Sequence, residues 1–466
     1  MSAWRNPWAW AGTLLLAGAV ASVSVYWLNV RGEAFEAPEA SEKPDAAAVP
    51  GGAAVKGSSG GPMSTSAVSA PSAQQIERGA YLSRAGNCMG CHTPQGGSPF
   101  AGGRRIDTPF GVVLAPNITP DDTTGIGRWT ASDFWRALHH GRSKDGRFLN
   151  PAFPYPSFTW VTREDSDALW AYLRSVPAVQ RPNEPHELRF PYGTQAAVAV
   201  WRALNFQPAT FQADPQQTQD WNRGRYLVKG LGHCAACHSE RNALGGIRSD
   251  GEWSGGLMPD GAWYAPSLAD PHEAGIQHLS RAQVVSLLQQ GVTQGSSVSG
   301  PMADVVFSST QYMTAADLGA MADYLATVPV RASRAGSATR AKSDTQGTSA
   351  GQGFKRATPE VLQRGGKLYG EHCASCHGAS GEGVAGQYPA LAGNRAVTLG
   401  VINNLVQMIR HGGFAPATLG NPRPFGMPPF AQALNEQQIA DVATYLRQSW
   451  GNEAEPVSSL DVLQVH

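Results

Sequence analysis

The six cysteines of this chain all belong to three copies of the pattern Cys-x-x-Cys-His. The copies are Cys88, Cys91 and His92; Cys234, Cys237 and His238; and Cys373, Cys376 and His377. This spacing is typical of c-type haem attachment, in which two thiols bond to one porphyrin and the adjoining histidine supplies an axial nitrogen to the iron. A zinc site would need further paired ligands, and a thioredoxin-like dithiol would need a βαβ context. We therefore expect three covalently bound haem c groups.

Length and composition agree with small haem-binding units. A chain of 466 residues is long enough for about three domains. Only 15% of the residues are charged, and there are 53 glycines and 33 prolines, so loops must be plentiful. The net charge of zero gives no indication of nucleic-acid binding. The predicted fold is mainly α: three tandem class I-like cytochrome c domains with much irregular loop, plus one N-terminal transmembrane helix.

The predicted domain organisation follows the motifs and the local composition. Segments rich in Ala, Pro, Ser and Gly with few aromatic residues are expected to be flexible. The connector before the second motif carries several aromatic residues, so it is expected to be packed. The predicted boundaries are 1–31 for a membrane anchor or signal peptide, 32–73 for a tether, 74–180 for the first cytochrome c domain, 181–219 for the connector, 220–331 for the second domain, 332–356 for a linker, 357–450 for the third domain and 451–466 for a tail.

The N-terminal segment between Arg5 and Arg31 contains no charged residue. At about 1.5 Å per residue it is long enough to cross a hydrocarbon core of about 30 Å. The alternative is a signal peptide cleaved near Ala21. We favour an uncleaved anchor because the apolar character continues to Leu28. The expected location is the cytoplasmic membrane, with a single span and the haem domains facing the periplasm.

Internal repeats support one structural unit per motif. Residues 111–116 (GVVLAP) correspond to residues 261–266 (GAWYAP). Each unit opens with an Arg-Gly pair and closes with a predicted amphipathic helix, and the N-caps of these helices are Thr162, Thr314 and Asn435. Only Asn435, with Gln438 three residues later, fits a capping box. The arginines of the Arg-Gly pairs are interpreted either as partners of haem propionates or as ordinary surface charges.

Methionines near the closing helices are candidates for the sixth iron ligand, because a Met sulfur usually lies opposite the histidine in cytochromes c. Met427 is the candidate of the third unit, and Met302 is that of the second. The alternatives in these units are Met408, Met258 and Met313. Any of these side chains could instead fill a gap in an apolar core.

The first unit has no methionine at the corresponding place, which reads Ala-Phe153-Pro. Three alternatives are open: a ligand from outside the unit, an open iron, or a histidine of the unit itself. His140 has a counterpart in His411, which suggests a shared structural role, whereas His139 is peculiar to the first unit. We therefore predict His139 as the sixth ligand.

Three strings outside the haem motifs resemble those of a known family, the three-haem cytochrome c subunits of bacterial membrane-bound dehydrogenases. They are residues 108–119 (TPFGVVLAPNIT), 125–129 (GIGRW) and 220–228 (DWNRGRYLV), and the resemblance spans roughly residues 74–450. Members of the family serve quinoprotein alcohol dehydrogenases, flavin gluconate or sorbitol dehydrogenases, and molybdenum aldehyde or N-heterocycle dehydrogenases. At Phe153 the chain departs from members that have Ala-Met-Pro in the first unit. It is more similar there to the members that accompany molybdenum hydroxylases.

The resemblance implies an electron-transfer subunit that passes substrate electrons from a separate catalytic subunit to ubiquinone or a terminal oxidase. The favoured partner is a molybdenum-dependent aldehyde dehydrogenase, followed by a quinoprotein alcohol dehydrogenase and a flavin gluconate dehydrogenase. A small iron–sulfur subunit is a further expected partner. No independent catalytic site is recognised in the sequence. The alternative functions are a cytochrome c module of a terminal oxidase, and a haem enzyme that uses an open first iron.

The missing methionine predicts that the first haem differs from the other two. Two nitrogen ligands lower the reduction potential of a haem relative to a His/Met pair. In a redox titration followed by absorption and electron paramagnetic resonance (EPR), we expect one low-potential, low-spin centre that lacks the sulfur-to-iron charge-transfer band. Three equivalent His/Met centres would contradict this prediction.

Overall fold

The computed structural model of the chain describes residues 7–30, 71–333 and 355–465. These residues are mainly helical with much irregular loop, as predicted. The N-terminal helix is α1 (Pro7–Val30). The first unit contains α2 (Ala73–Ala85), α3 (Cys88–His92), β1 (Arg105–Thr108), β2 (Gly111–Leu114), α4 (Ala131–His140), α5 (Tyr155–Phe158) and α6 (Arg163–Ser175). The connector contributes β3 (Glu187–Leu188) and α7 (Gln195–Asn205).

The second and third units repeat this order of an opening helix, a motif turn and a closing helix. The second unit contains α8 (Gln219–Tyr226), a π-helical turn (Leu227–Leu231), α9 (Ala235–His238), β4 (Gly256–Leu257), β5 (Tyr264–Ala265), a 3-10 turn (Ile276–His278), α10 (Arg281–Gln290), β6 (Val292–Thr293), β7 (Ser296–Ser297), α11 (Pro301–Ser308), a 3-10 turn (Thr310–Tyr312) and α12 (Ala315–Leu325). The third unit contains α13 (Pro359–His372), α14 (Ala374–His377), α15 (Arg395–Thr398), α16 (Asn403–His411), β8 (Gly413–Phe414), β9 (Gly426–Met427) and α17 (Glu436–Gln448), and the tail contains α18 (Ser459–Gln464).

The strands are short and antiparallel. Strand β2 lies between β1 and β3, with Arg105 opposite Leu114 and Gly111 opposite Leu188. The connector is therefore paired through β3 with the sheet of the first unit. The other strands form the two-stranded pairs β4–β5, β6–β7 and β8–β9. Buried apolar residues of the first and second units form one continuous cluster, whereas the third unit and the tail have a cluster of their own.

No helix within the described ranges has both the length and the apolar character needed to cross a membrane, so the predicted transmembrane helix is not found there. The end of α1 is attached to the connector by Asn29. Its Nδ2 donates to the Ala199 carbonyl oxygen at 2.9 Å, and its Oδ1 accepts from Arg202 Nε at 2.9 Å. Arg5 and most of the predicted tether (32–73) and linker (332–356) lie outside the described residues.

The predicted starts of the three closing helices are confirmed. The side chains of Thr162, Thr314 and Asn435 accept hydrogen bonds from the backbone N–H three residues later. The reciprocal capping box is present at Asn435 with Gln438. Because an N-cap satisfies an otherwise unpaired N–H group, these polar residues define where each closing helix begins.

The opening and closing helices of each unit cross at the glycine of the Arg-Gly pair. A Cβ atom on Gly79 would lie 1.9 Å from the Ala168 carbonyl oxygen, and one on Gly224 would lie 1.9 Å from that of Ala320. The third unit repeats the contact between Gly365 and the Asp441 carbonyl oxygen, at 2.3 Å. Only glycine permits this approach, so these positions fix how the two helices pack.

The arginines of the Arg-Gly pairs bind aspartates of the closing helix in their own unit. Arg223 donates two hydrogen bonds to Asp317, at 2.9 and 2.8 Å, and Arg364 donates two to Asp441, at 2.6 and 3.1 Å. The corresponding Nε of Arg78 lies 2.7 Å from Asp165 Oδ1. These arginines therefore form ion pairs within the units, which neither sequence interpretation anticipated.

Two glycines of α13 test the helix crossing. Gly365→Ala is expected to lower the free energy of unfolding by about 1–3 kcal/mol, because the new Cβ would overlap a backbone oxygen. Gly370 has no atom within 4 Å of the corresponding position. Gly370→Ala is therefore expected to stabilise the helix by about 0.5–1 kcal/mol. Denaturant unfolding of the haem-loaded protein measures both changes, and effects of equal sign and size would contradict the proposed role of the crossing.

Candidate haem sites

Each Cys-x-x-Cys-His motif forms a short helical turn after the opening helix of its unit, with Cys234 and Cys373 as the N-caps of α9 and α14. In the second unit, the π-helical turn lies between the opening helix and the motif. In the first unit, α2 ends at Ala85 and α3 spans Cys88–His92. Side chains three residues apart lie on the same face of a helical turn, so the two thiols of each motif face the same way. The opening helix, which is fixed at its glycine crossing, thereby fixes the direction of the thiols.

The histidine of each motif is oriented by a proline carbonyl oxygen. The Nδ1 atoms of His92, His238 and His377 lie 2.8, 2.8 and 2.9 Å from the carbonyl oxygens of Pro116, Pro266 and Pro389, respectively. Since a carbonyl oxygen can only accept a hydrogen bond, Nδ1 must carry the proton. This tautomer leaves the Nε2 lone pair as the metal-binding atom of each imidazole.

Burial favours the neutral form of two of these histidines. It lowers the pKa of His92 and of His238 below the usual range, although the bond to the proline carbonyl opposes the change. A neutral imidazole is the form that binds a metal ion. The direction of the pKa shift therefore agrees with axial ligation at both sites.

The first thiol of each motif has the electrostatics of a structural rather than a redox cysteine. Burial raises the pKa of Cys88 to about 11 and that of Cys234 to about 12. Burial also raises the pKa of Cys373 to about 11. Reactive dithiols have lowered pKa values because the thiolate is the nucleophile. The environment thus disfavours the thioredoxin-like alternative.

The candidate methionines lie where the chain approaches the closing helices. Met302 is half-buried in the first turn of α11, directly after Gly300 and Pro301, and Met427 is half-buried in β9, against the core of the third unit. The alternative Met313 is buried in the cluster of the first two units. These positions are compatible with the predicted ligands and do not test them.

In the first unit, the predicted ligand His139 lies near the end of α4 and is 5% exposed. Its ring stacks on Trp135 at 4.4 Å between centroids and contacts His140 edge-on at 4.6 Å. Phe153, at the place of the missing methionine, packs against Phe158 with ring centroids 5.3 Å apart. Ligation by His139 remains a prediction.

Sequence reasoning missed the proline carbonyls and the Arg–Asp pairs. The repeated strings at 111–116 and 261–266 end in Pro116 and Pro266, so two of the three prolines are visible as a repeat. Pro389 follows its histidine by only 12 residues, against 24 and 28 in the other units. This difference in loop length hid the shared role.

The donor set fits covalently attached haem. In each unit, two thiols on one face and an imidazole with a defined tautomer would hold the porphyrin and its iron. The residues are Cys88, Cys91 and His92 in the first unit; Cys234, Cys237 and His238 in the second; and Cys373, Cys376 and His377 in the third. Fold and site together define a c-type cytochrome.

Comparisons with known proteins agree with this class. The cytochrome c family profile matches residues 76–177 and 362–450. The cytochrome c subunit of alcohol dehydrogenase (quinone) from Gluconacetobacter polyoxogenes is 38% identical over 412 residues, which cover 86% of each chain. The gluconate 2-dehydrogenase cytochrome c subunit from Pantoea cypripedii is 35% identical over 420 residues, which cover 86% of this chain and 92% of that one.

A third relative is larger. It is a subunit of nicotinate dehydrogenase from Pseudomonas putida, 37% identical over 389 residues, which cover 83% of this chain and 31% of the relative. Together with the nearly full-length matches, this similarity shows the family. The chain belongs to the cytochrome c subunits of dehydrogenases.

The place of the missing methionine can be tested by restoring it. Phe153→Met is nearly volume-conserving, and a Met sulfur raises haem potential relative to two nitrogen ligands. We expect the lowest potential of the protein to rise and the sulfur-to-iron band to intensify. Phe158→Met, a matched change in the neighbouring ring, should leave both unchanged. If Phe153→Met shows neither effect, position 153 does not lie at the sixth coordination position.

Proposed function

We propose that this chain is a three-haem electron-transfer subunit of a membrane-bound periplasmic dehydrogenase. It would receive substrate electrons from a separate catalytic subunit and pass them to ubiquinone or a terminal oxidase. The observation that carries the proposal is the threefold repetition of one site: two thiols on a motif turn and a histidine held by a proline carbonyl oxygen.

Haem bound at these sites would supply an iron that exchanges one electron at a time. The chain's own contribution is to hold each imidazole in one orientation. The glycine crossings support this role, because a rigid helix pair limits movement of the motif turn. We propose Met302 and Met427 as the sixth ligands of the second and third haems, and His139 as that of the first.

Relatives named as subunits of alcohol, gluconate and fructose dehydrogenases support a catalytic dehydrogenase as partner. Among the classes of partner, we propose the molybdenum-dependent one. Phe153 supports this choice, because at this position the chain resembles the family members that accompany molybdenum hydroxylases. The relative named as a subunit of nicotinate dehydrogenase is consistent with it, because nicotinate is an N-heterocycle.

We also propose that the N-terminal segment attaches the haem units to the cytoplasmic membrane. The support is its uncharged sequence and the exposure of apolar side chains on α1, such as Val23 and Trp27, at 66% and 61%. The hydrogen bonds of Asn29 with Ala199 and Arg202 would then hold the connector close to the attachment point.

Haem content and the companion polypeptide test the function. We expect the pyridine haemochrome assay to give three haem c per chain, as the three motifs require. Affinity purification from solubilised membranes should recover a dehydrogenase catalytic subunit, and its substrate should reduce the haems and then a ubiquinone analogue. Recovery of oxidase subunits instead would support the oxidase alternative, whereas a high-spin haem that binds carbon monoxide or cyanide would support the enzyme alternative.

A further inference from the structure

The first and second units each contribute a tyrosine that donates a hydrogen bond to an aspartate of the other unit. Tyr81, on the opening helix of the first unit, donates to Asp317 Oδ2 of the second at 2.6 Å. Tyr226, at the end of the opening helix of the second unit, donates to Asp165 Oδ2 of the first at 2.7 Å. The two contacts are reciprocal, as in the isologous interface of a two-fold dimer.

The surroundings of the two tyrosines are also equivalent. Each hydroxyl accepts a hydrogen bond from the N-cap residue of the other unit's closing helix: Thr314 N lies 3.3 Å from Tyr81 Oη, and Thr162 N lies 3.2 Å from Tyr226 Oη. Each aspartate that receives a tyrosine is also the partner of its own unit's arginine. The tyrosine therefore connects one unit to the ion pair that joins the helices of the other.

The reciprocal contacts extend to the haem motifs. Asn87 and His233 each immediately precede a first cysteine, and both have positive φ, 49° and 37°. Asn87 Oδ1 accepts a hydrogen bond from Ser308 of the second unit at 2.8 Å. His233 contacts the Phe158 ring of the first unit edge-on, with centroids 5.5 Å apart. Asn87 and His233, which directly precede the two motifs, therefore each contact a residue of the other unit.

The third unit has the ion pair but lacks the tyrosine. Three residues after Arg364, where the other units have Tyr81 and Tyr226, stands Lys367, whose side chain is 77% exposed. The third unit contacts the second through several other hydrogen bonds. Among them, the Asn404 side-chain amide donates to the Tyr264 carbonyl oxygen and accepts from the Tyr264 N–H, both at 2.8 Å, and Arg395 donates to the Gly275 carbonyl oxygen at 2.9 Å. The two interfaces of the chain therefore use different chemistry.

We propose that Tyr81 and Tyr226 are positioning residues that hold the first and second haem sites as one electron-transfer pair, to which the third site is joined separately. The proposal rests on the proposed function. Asp165 is 1% exposed and Tyr226 is 4% exposed, so loss of a hydroxyl leaves a buried carboxylate oxygen without that donor. A hydrogen bond to a charged group changes an equilibrium by about tenfold or more, here the equilibrium between docked and undocked units.

The test uses the full-length haem-loaded protein and the variants Tyr81→Phe, Tyr226→Phe and the double variant. Phenylalanine keeps the ring and removes only the hydroxyl. Tyr445→Phe is the matched control, because Tyr445 packs on Gly365 inside the third unit. EPR measures the magnetic interaction between the first two ferric haems. Flash photoreduction by a ruthenium complex delivers one electron and measures its redistribution among the haems.

We expect the double variant to show a weaker interaction between the first two haems and a several-fold slower redistribution, with smaller effects in the single variants. The spectra and potentials of the individual haems should be unchanged, as should all properties of Tyr445→Phe. Wild-type interaction and rate in the double variant would overturn the proposal; if the double variant does not fold, the same result in both single variants would do so. A wild-type protein that lacked three haems would instead contradict the proposed function.

Discussion

The close crossing of an opening and a closing helix is the contact on which each unit depends. At Gly79 and Gly224, the space for a side chain is occupied by a carbonyl oxygen of the closing helix, 1.9 Å from where a Cβ would lie. Backbone packed this tightly has few alternative arrangements. Because the opening helix leads into the motif turn, the crossing fixes the direction in which the thiols and the histidine project. The haem-binding residues are thus placed by the helix pair, and a proline carbonyl oxygen from a loop then orients each histidine.

The same crossing determines what the neighbouring side chains can reach. The arginine next to each glycine faces the closing helix of its own unit and finds an aspartate there, as Arg223 finds Asp317. The residue three positions after this arginine lies on the same face of the opening helix, one turn nearer its C-terminal end. In two units this residue is a tyrosine, and its hydroxyl extends to the adjacent unit. One helix face therefore both closes a unit and joins it to another.

Local features of the fold could be predicted from the sequence, and long-range pairings could not. The haem motifs and the N-caps at Thr162, Thr314 and Asn435 depend on residues a few positions apart, so their patterns are readable. The bond from Tyr81 to Asp317 joins residues 236 positions apart. Nothing in the local pattern distinguishes that tyrosine from an ordinary core residue. His139 illustrates the same limit, since its position in the sequence cannot say which way its ring faces.

The proposed iron ligands and the packing of the units divide the three units differently. The first and second units share one apolar cluster and the tyrosine contacts, whereas the third has its own cluster and Lys367. The proposed sixth ligands instead pair the second unit with the third, since both have a methionine, whereas the first unit has a histidine. The type of axial ligand sets the reduction potential of a haem, and the docking of the units sets the distance between haem sites. The largest difference in reduction potential would therefore fall between the first and second haems, within the pair of units that share an apolar cluster and the tyrosine contacts. The second and third haems would have the same ligation, so the junction between them would carry the smaller difference in potential.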